Sequence, residues 1–134
     1  MIKKTLILVT LLTAFISCQK KQSDFPTMDF TVDNYDFGTI NEGQVVENNF
    51  VFKNTGSSDL IITDVQASCG CTVAEYPKLP VKSMQEGVIK VKFNSRGKHG
   101  KQEKTIAITA NTKNKKEILK IVADIKPTSG ISGY

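Results

Sequence analysis

Tryptophan is absent from this chain of 134 residues, histidine occurs once and cysteine three times. A single histidine excludes a histidine-rich metal site and removes the commonest base of nucleophilic catalysis. Three cysteines are too few for a disulfide-rich scaffold. The Gly-x-Ser-x-Gly elbow, the phosphate-binding loop, His-Glu-x-x-His and the dinucleotide-binding glycine fingerprint are all missing. No cofactor is called for, and the chain reads as non-enzymatic. Aromatic residues make up 7% and do not interleave with the basic ones, which argues against nucleic acid as a partner. No window of useful length carries a helical period, and no internal repeat is visible. What is present is ordinary. Apolar residues at 40% and charged residues at 23% exclude disorder, collagen and coiled coil. The length allows one domain.

The first residues stand apart. Lys3 and Lys4 precede an uncharged apolar stretch from Thr5 to Ile16. That length suits a signal peptide and is short for a membrane span. Phe15-Ile16-Ser17-Cys18 resembles a bacterial lipobox, with Phe15 where leucine is usual. The resemblance implies cleavage after residue 17 and a lipid-modified Cys18. Several acyl chains, at about 0.8 kcal/mol per buried CH₂, would tether the chain to a bilayer without spanning it. Gln19 follows where aspartate would signal inner-membrane retention, and no acidic cluster follows. We therefore expect residues 1–17 as signal, 18–27 as lipidated tether, and a periplasm-facing outer-membrane anchor in the cell envelope. Loss of residues 1–17 takes away two lysines and no acid. The excess of positive charge thus shrinks in the mature chain and is no sign of nucleic-acid binding.

From residue 28 onward, runs rich in Val, Ile, Phe and Thr alternate with Gly, Asn and Ser. Met28–Val32 reads as a first strand, followed by Asn34–Gly38 with Gly38 as a turn. Gln44–Lys53 places Val46, Phe50 and Phe52 on one face. Leu60–Ala67 breaks step at Val65, so a bulge is expected near Thr63-Asp64. Cys71–Tyr76 is short. Glu86–Asn94 points Ile89, Val91 and Phe93 inward, and Lys104–Ala110 does so with Ile106 and Ile108. Glu117–Ile125 closes the domain with Leu119, Ile121, Ala123 and Ile125 on one face. About seven half-buried strands with frequent turns read as an all-β, immunoglobulin-like antiparallel β-sandwich over residues 28–126, with a flexible tail at 127–134.

Four stretches carry a family resemblance: Tyr35–Ile40 with Glu42-Gly43; Phe50–Gly56; Leu60–Ile62 through Ser68-Cys69-Gly70-Cys71-Thr72; and Gly87–Lys104. Together they resemble the bacterial family called domain of unknown function 1573, common among lipoproteins of Bacteroidota, and more distantly the hydin-type immunoglobulin-like modules. The resemblance implies the fold and brings no activity. One departure is Ser83–Gly87, where the family usually has a Pro-Gly turn. At Asn54 and Gly56 we expect a tolerance of positive φ and an Asx-type backbone bond.

Cys69-Gly70-Cys71 is the one constellation able to carry chemistry. Residues i and i+2 of a strand share a face, so the two sulfurs can meet. Three readings stand. The cysteines are small apolar residues packed under a sheet corner, or a purely structural bridge. They form a labile disulfide across a small, strained ring. Or they offer two thiolates to a soft ion such as Cu(I), with His99 as a distant third ligand. The lack of neighbouring Asp, Glu or His argues against zinc. We expect packing under the sheet. Charge is uneven: Asp24–Asp59 is acid-rich and Arg96–Lys126 base-rich. Arg96, Lys98, His99 and Lys101 form a candidate interaction face toward anionic headgroups or a polyanionic partner. The functional expectation is a non-enzymatic envelope lipoprotein that binds or scaffolds a protein partner, with a thiol–disulfide or copper-binding role for the cysteine pair as the alternative.

Overall fold

Alternation of period two builds the elements. In Glu86–Asn94, Ile89, Val91 and Phe93 are fully buried. The intervening Lys90 and Lys92 face outward and reach Glu47 on the adjacent strand at 3.4 and 3.6 Å. Such exposed pairs contribute about 0.2–1 kcal/mol, so the buried row dominates. The computed structural model describes residues 24–128. The expected leader, Cys18, the start of the tether and the tail beyond residue 128 lie outside the described residues.

Eight strands run in order: β1 (Met28–Phe30), β2 (Asn34–Asn41), β3 (Val45–Asn54), β4 (Ile62–Ala67), β5 (Thr72–Glu75), β6 (Glu86–Asn94), β7 (Gly100–Ala110) and β8 (Lys116–Lys126). They form two four-stranded sheets, β1-β3-β6-β5 and β2-β8-β7-β4. The core between them holds Phe50, Phe52 and Phe93 from one sheet and Ile106, Ile108, Leu119 and Ile121 from the other, all at most 2% exposed. Each such side chain is worth about 1.5–3 kcal/mol of burial before entropy is counted. The fold is the expected all-β two-sheet sandwich.

Three details differ from the sequence reading. Residues 34–41 are a strand, and it pairs parallel to β8. The chain leaves β1, crosses to the other sheet through residues 31–33 and continues without reversing. Gly38 is not a turn but part of a bulge between Asp36 and Thr39. Its φ is +66°, and its N–H donates to the Asp36 carboxylate at 2.7 Å. The sandwich is therefore mostly, not wholly, antiparallel. Second, β7 begins at Gly100, because the polar residues 101–103 hide the end of a strand. Third, Gly56 does not have a positive φ. A Cβ there would run into the backbone of Phe25 and Pro26, so close approach is what demands glycine. The bulge foreseen near Thr63-Asp64 is present: the β4–β7 register shifts between Ile62 and Asp64. In the turn that departs from Pro-Gly, Met84 takes φ +66°, and its N–H donates to the Asn54 carbonyl at 2.7 Å.

Asn54 closes this region. Its fully buried side chain accepts from the N–H groups of Thr27 (3.2 Å) and Gly56 (3.1 Å). It donates to the carbonyls of Ser58 (2.8 Å) and Val81 (2.9 Å). The expected Asx bond is thus one of four. Asn54→Ala would remove four hydrogen bonds to the backbone, and although the Val81 carbonyl keeps the Leu60 N–H, each group left unpaired costs about 1–3 kcal/mol where water cannot reach. Urea unfolding should show a loss of at least about 3 kcal/mol; a loss below 1 kcal/mol would mean that the network is dispensable.

Candidate functional site

The chain changes sheets again between β4 and β5, and Cys69-Gly70-Cys71 makes that crossing. Both sides of the corner are tied down. The Ser68 N–H donates to the Thr105 carbonyl at 2.9 Å, and the Thr105 N–H donates to the Ser68 hydroxyl at 3.1 Å. On the other sheet, the Asn94 N–H donates to the Cys71 carbonyl at 2.9 Å. Between these anchors the Thr72 N–H reaches back to the Cys69 carbonyl at 3.2 Å. The pinned corner brings the Cα atoms of Cys69 and Cys71 to 5.3 Å, and their sulfurs are bonded. That separation lies within the ordinary range for a disulfide.

The pair is not packed under the sheet as expected. Both cysteines are half-buried and Gly70 is exposed. Only the Cys71 side chain packs against the core. The reason is positional: a residue at a sheet-to-sheet crossing belongs to neither inner face. Apart from the two neighbouring cysteines, no described residue lies within 4 Å of where a Gly70 Cβ would stand, so the outer side of the ring is open. The side chain that contacts both sulfurs is Thr72. Its hydroxyl lies 3.7 Å from Cys69 Sγ and 4.0 Å from Cys71 Sγ. A disulfide sulfur carries no proton, so Thr72 is the donor in both contacts. Among the described residues no group of three His, Cys, Asp or Glu stands ready for a metal. Bonded sulfurs offer no thiolates, so a soft-ion site at this pair requires the reduced state. Closing a ring over one intervening residue removes little chain entropy. The bond adds at most about 2 kcal/mol by that route, far less than the core supplies.

The basic candidates lie at the same end of the molecule, because Asn94, which touches Cys71, leads directly into their loop. Arg96, Lys98 and His99 share the β6–β7 connection; Arg96 and His99 are exposed and Lys98 is half-buried. The loop is built on Ser95, whose buried hydroxyl reaches the carbonyls of Asn41 and Gln44 at 2.8 and 2.9 Å. Glu42 sits within it and accepts from the Gly97 N–H at 3.1 Å. Lys101 stands apart, on β7 opposite Asp124, beside a groove that also contains Asp36. Burial pushes the Glu117 carboxyl above its usual range; it belongs to neither site.

A feature the sequence reading expected only in general terms, as exposed sheet edges suited to strand addition, is located here at one strand. β1 pairs with β3 only over Phe52–Asn54, and the last bond between them runs from the Thr31 N–H to the Val51 carbonyl at 3.3 Å. Beyond it, among the described residues, the backbone groups of Asn49 and Glu47 face no strand. Val32, Tyr35 and Val51 line an apolar groove beside that edge. The departure of β1 at residue 31 creates this edge, and two adjacent strand-like runs, 28–32 and 34–38, were the available signal.

Comparison with known proteins places these features in a fold class. A solved protein of unknown function from Porphyromonas gingivalis W83 matches with a TM-score of 0.66 at 15% identity, over 83% of this chain and 51% of that one. The chain thus spans about half the length of that relative. The PapD-like domain 7 of human CEP192 matches with a TM-score of 0.65 at 8% identity, over 87% and 97% of the two chains. The YadV chaperone matches with a TM-score of 0.55 at 13% identity, over 80% and 54%. At these identities the likeness is one of fold: an immunoglobulin-like, PapD-like β-sandwich. No curated protein matches the sequence. The family profile described as "Protein of unknown function (DUF1573)" matches residues 28–125, which is most of the chain, and this protein belongs to that family.

Proposed function

We propose that this protein works in the cell envelope as a β-sandwich module whose Cys69–Cys71 disulfide exchanges with thiols. The observation that carries the reading is the position of the bond: at a half-exposed crossing between sheets, open on the Gly70 side, rather than in the core. A bond that adds little to stability can be broken without unfolding the domain. An oxidising compartment allows it to reform. The DUF1573 family supplies no activity, and the sandwich has none of the motifs of hydrolases or nucleotide enzymes. Mild dithiol followed by alkylation should add two labels to the native protein by mass, with its circular dichroism unchanged. Labelling that needs prior unfolding would return the pair to a structural role.

A second reading, a binding or scaffolding module, is favoured by the open edge of β3. An extended peptide could add there, taking backbone bonds from Asn49 and Glu47 and side-chain contact from the Val32–Tyr35–Val51 groove. The Asn49 N–H points to the open side, so Asn49→Pro should abolish strand addition while leaving the β3–β6 ladder intact. Peptide capture unchanged by that substitution would sink this reading. Both functions fit a periplasm-facing lipid anchor at Cys18. Labelled fatty acid should enter the wild-type protein and not Cys18→Ser; no label in the wild type replaces the anchor with simple secretion.

A further inference from the structure

Thr72 is 5% exposed, and among the described residues its hydroxyl has no hydrogen-bond partner other than the two sulfurs, at 3.7 and 4.0 Å. A buried hydroxyl is normally satisfied by a carbonyl or a water. A disulfide sulfur is a weak acceptor, so in the bonded state this donor gains little. A thiolate at the same place is a strong acceptor, and a hydrogen bond to the charged form favours that form. The arrangement is therefore better matched to the broken bond than to the intact one.

From this we propose that Thr72 is the donor that stabilises the departing thiolate when a dithiol reduces Cys69–Cys71, an inference that rests on the exchange reading above. A thiolate of the dithiol attacks one sulfur of the pair, and a new S–S bond forms as the old one breaks. The other sulfur leaves with the electron pair as a thiolate and accepts from the Thr72 O–H. The second thiol of the dithiol, deprotonated, then attacks the mixed disulfide and releases the remaining cysteine. The pair gains two electrons, the dithiol loses two and leaves as a disulfide, and its two protons go to the cysteines or to solvent. The hydroxyl reaches both sulfurs, so it serves whichever one leaves. Thr72 acts here on the reacting atoms themselves.

The corner's elements also carry charges. On the elements that meet there and the loop beside it, these are Asp64 on β4, Glu75 on β5, Lys92 on β6, Glu103 and Lys104 on β7, and Arg96, Lys98 and His99 on the β6–β7 loop, which also meets Glu42. Among the described residues none of them hydrogen-bonds a sulfur. They act equally on wild type and on a Thr72 variant, so a change at Thr72 isolates the hydroxyl.

The test compares wild type, Thr72→Val and Thr72→Ser. Valine keeps the branched shape and removes a hydroxyl that satisfies no backbone group, so the variant should fold as wild type does. Two quantities are read: the rate of reduction by dithiothreitol at fixed pH, and the pH midpoint for alkylation of the first cysteine of the reduced pair. In wild type that midpoint should lie below the free-cysteine value of about 8.5. Thr72→Val should raise it by about one pH unit and slow reduction about tenfold, as expected for a lost hydrogen bond to a charged group. Thr72→Ser should stay near wild type in both. Unchanged midpoint and rate in Thr72→Val, or a serine variant that behaves like valine, overturns the proposal while leaving exchange standing. A wild-type bond that resists dithiothreitol in the folded state overturns exchange itself, and this role with it.

Discussion

A chain that leaves one sheet for the other must find new partners for its backbone at the crossing, because unpaired buried N–H and C=O groups are expensive. This molecule crosses five times, after β1, β2, β3, β4 and β6, and both candidate sites are consequences of two of these crossings, at residues 31–33 and at 68–71. At the first crossing β1 abandons β3 after Thr31, which leaves the β3 edge open beside an apolar groove. At the β4–β5 crossing, Ser68 is held to one sheet and Cys71 to the other. The residues between them are lifted out of both inner faces. The crossing explains why the cysteines lie near the surface and why they are close enough to bond.

Crossings differ in how they are secured. The β3–β4 crossing binds residues 24–27 through Asn54, Thr55 and Ser58, around the buried Asn54 side chain. The cysteine corner is held by backbone bonds and one serine hydroxyl, none of which needs the disulfide. The sandwich can therefore keep its fold while the bond opens. The basic loop at the same end is likewise fixed from beneath by Ser95 and Glu42, so its cations stand on a framed surface beside the corner.

Much of this was legible in the sequence, where burial enforces a pattern. Ile89, Val91 and Phe93, or Leu119, Ile121, Ala123 and Ile125, alternate because one face is core, and every one of them is buried. The slip at Val65 betrayed the bulge for the same reason. Where the pattern is set by solvent, the reading failed: residues 101–103 extend β7 without an apolar row. Pairing direction was also invisible, since Tyr35 and Phe37 carry no mark that β2 runs parallel to β8. The Cys-x-Cys spacing announced two sulfurs on one side. It could not announce a crossing between sheets, which depends on Thr105 and Asn94, far away in sequence. Thr72 entered only as the end of the family-like Ser68–Thr72 stretch and without a chemical role for the same reason, as its hydroxyl becomes informative only when its partners are known to be sulfurs.

The central claim is that the bond at this corner is chemically poised rather than structural. Two features support it: the ring spans a single residue, so little chain entropy defends it, and a donor waits for the thiolate. Equilibrating the folded protein in glutathione buffers of graded ratio, and counting free thiols by mass at each, measures that poise directly. The account predicts a midpoint well above the roughly −300 mV of structural disulfides, reached with the sandwich intact. A pair that stays bonded throughout that range, or that opens only as the domain unfolds, would contradict it.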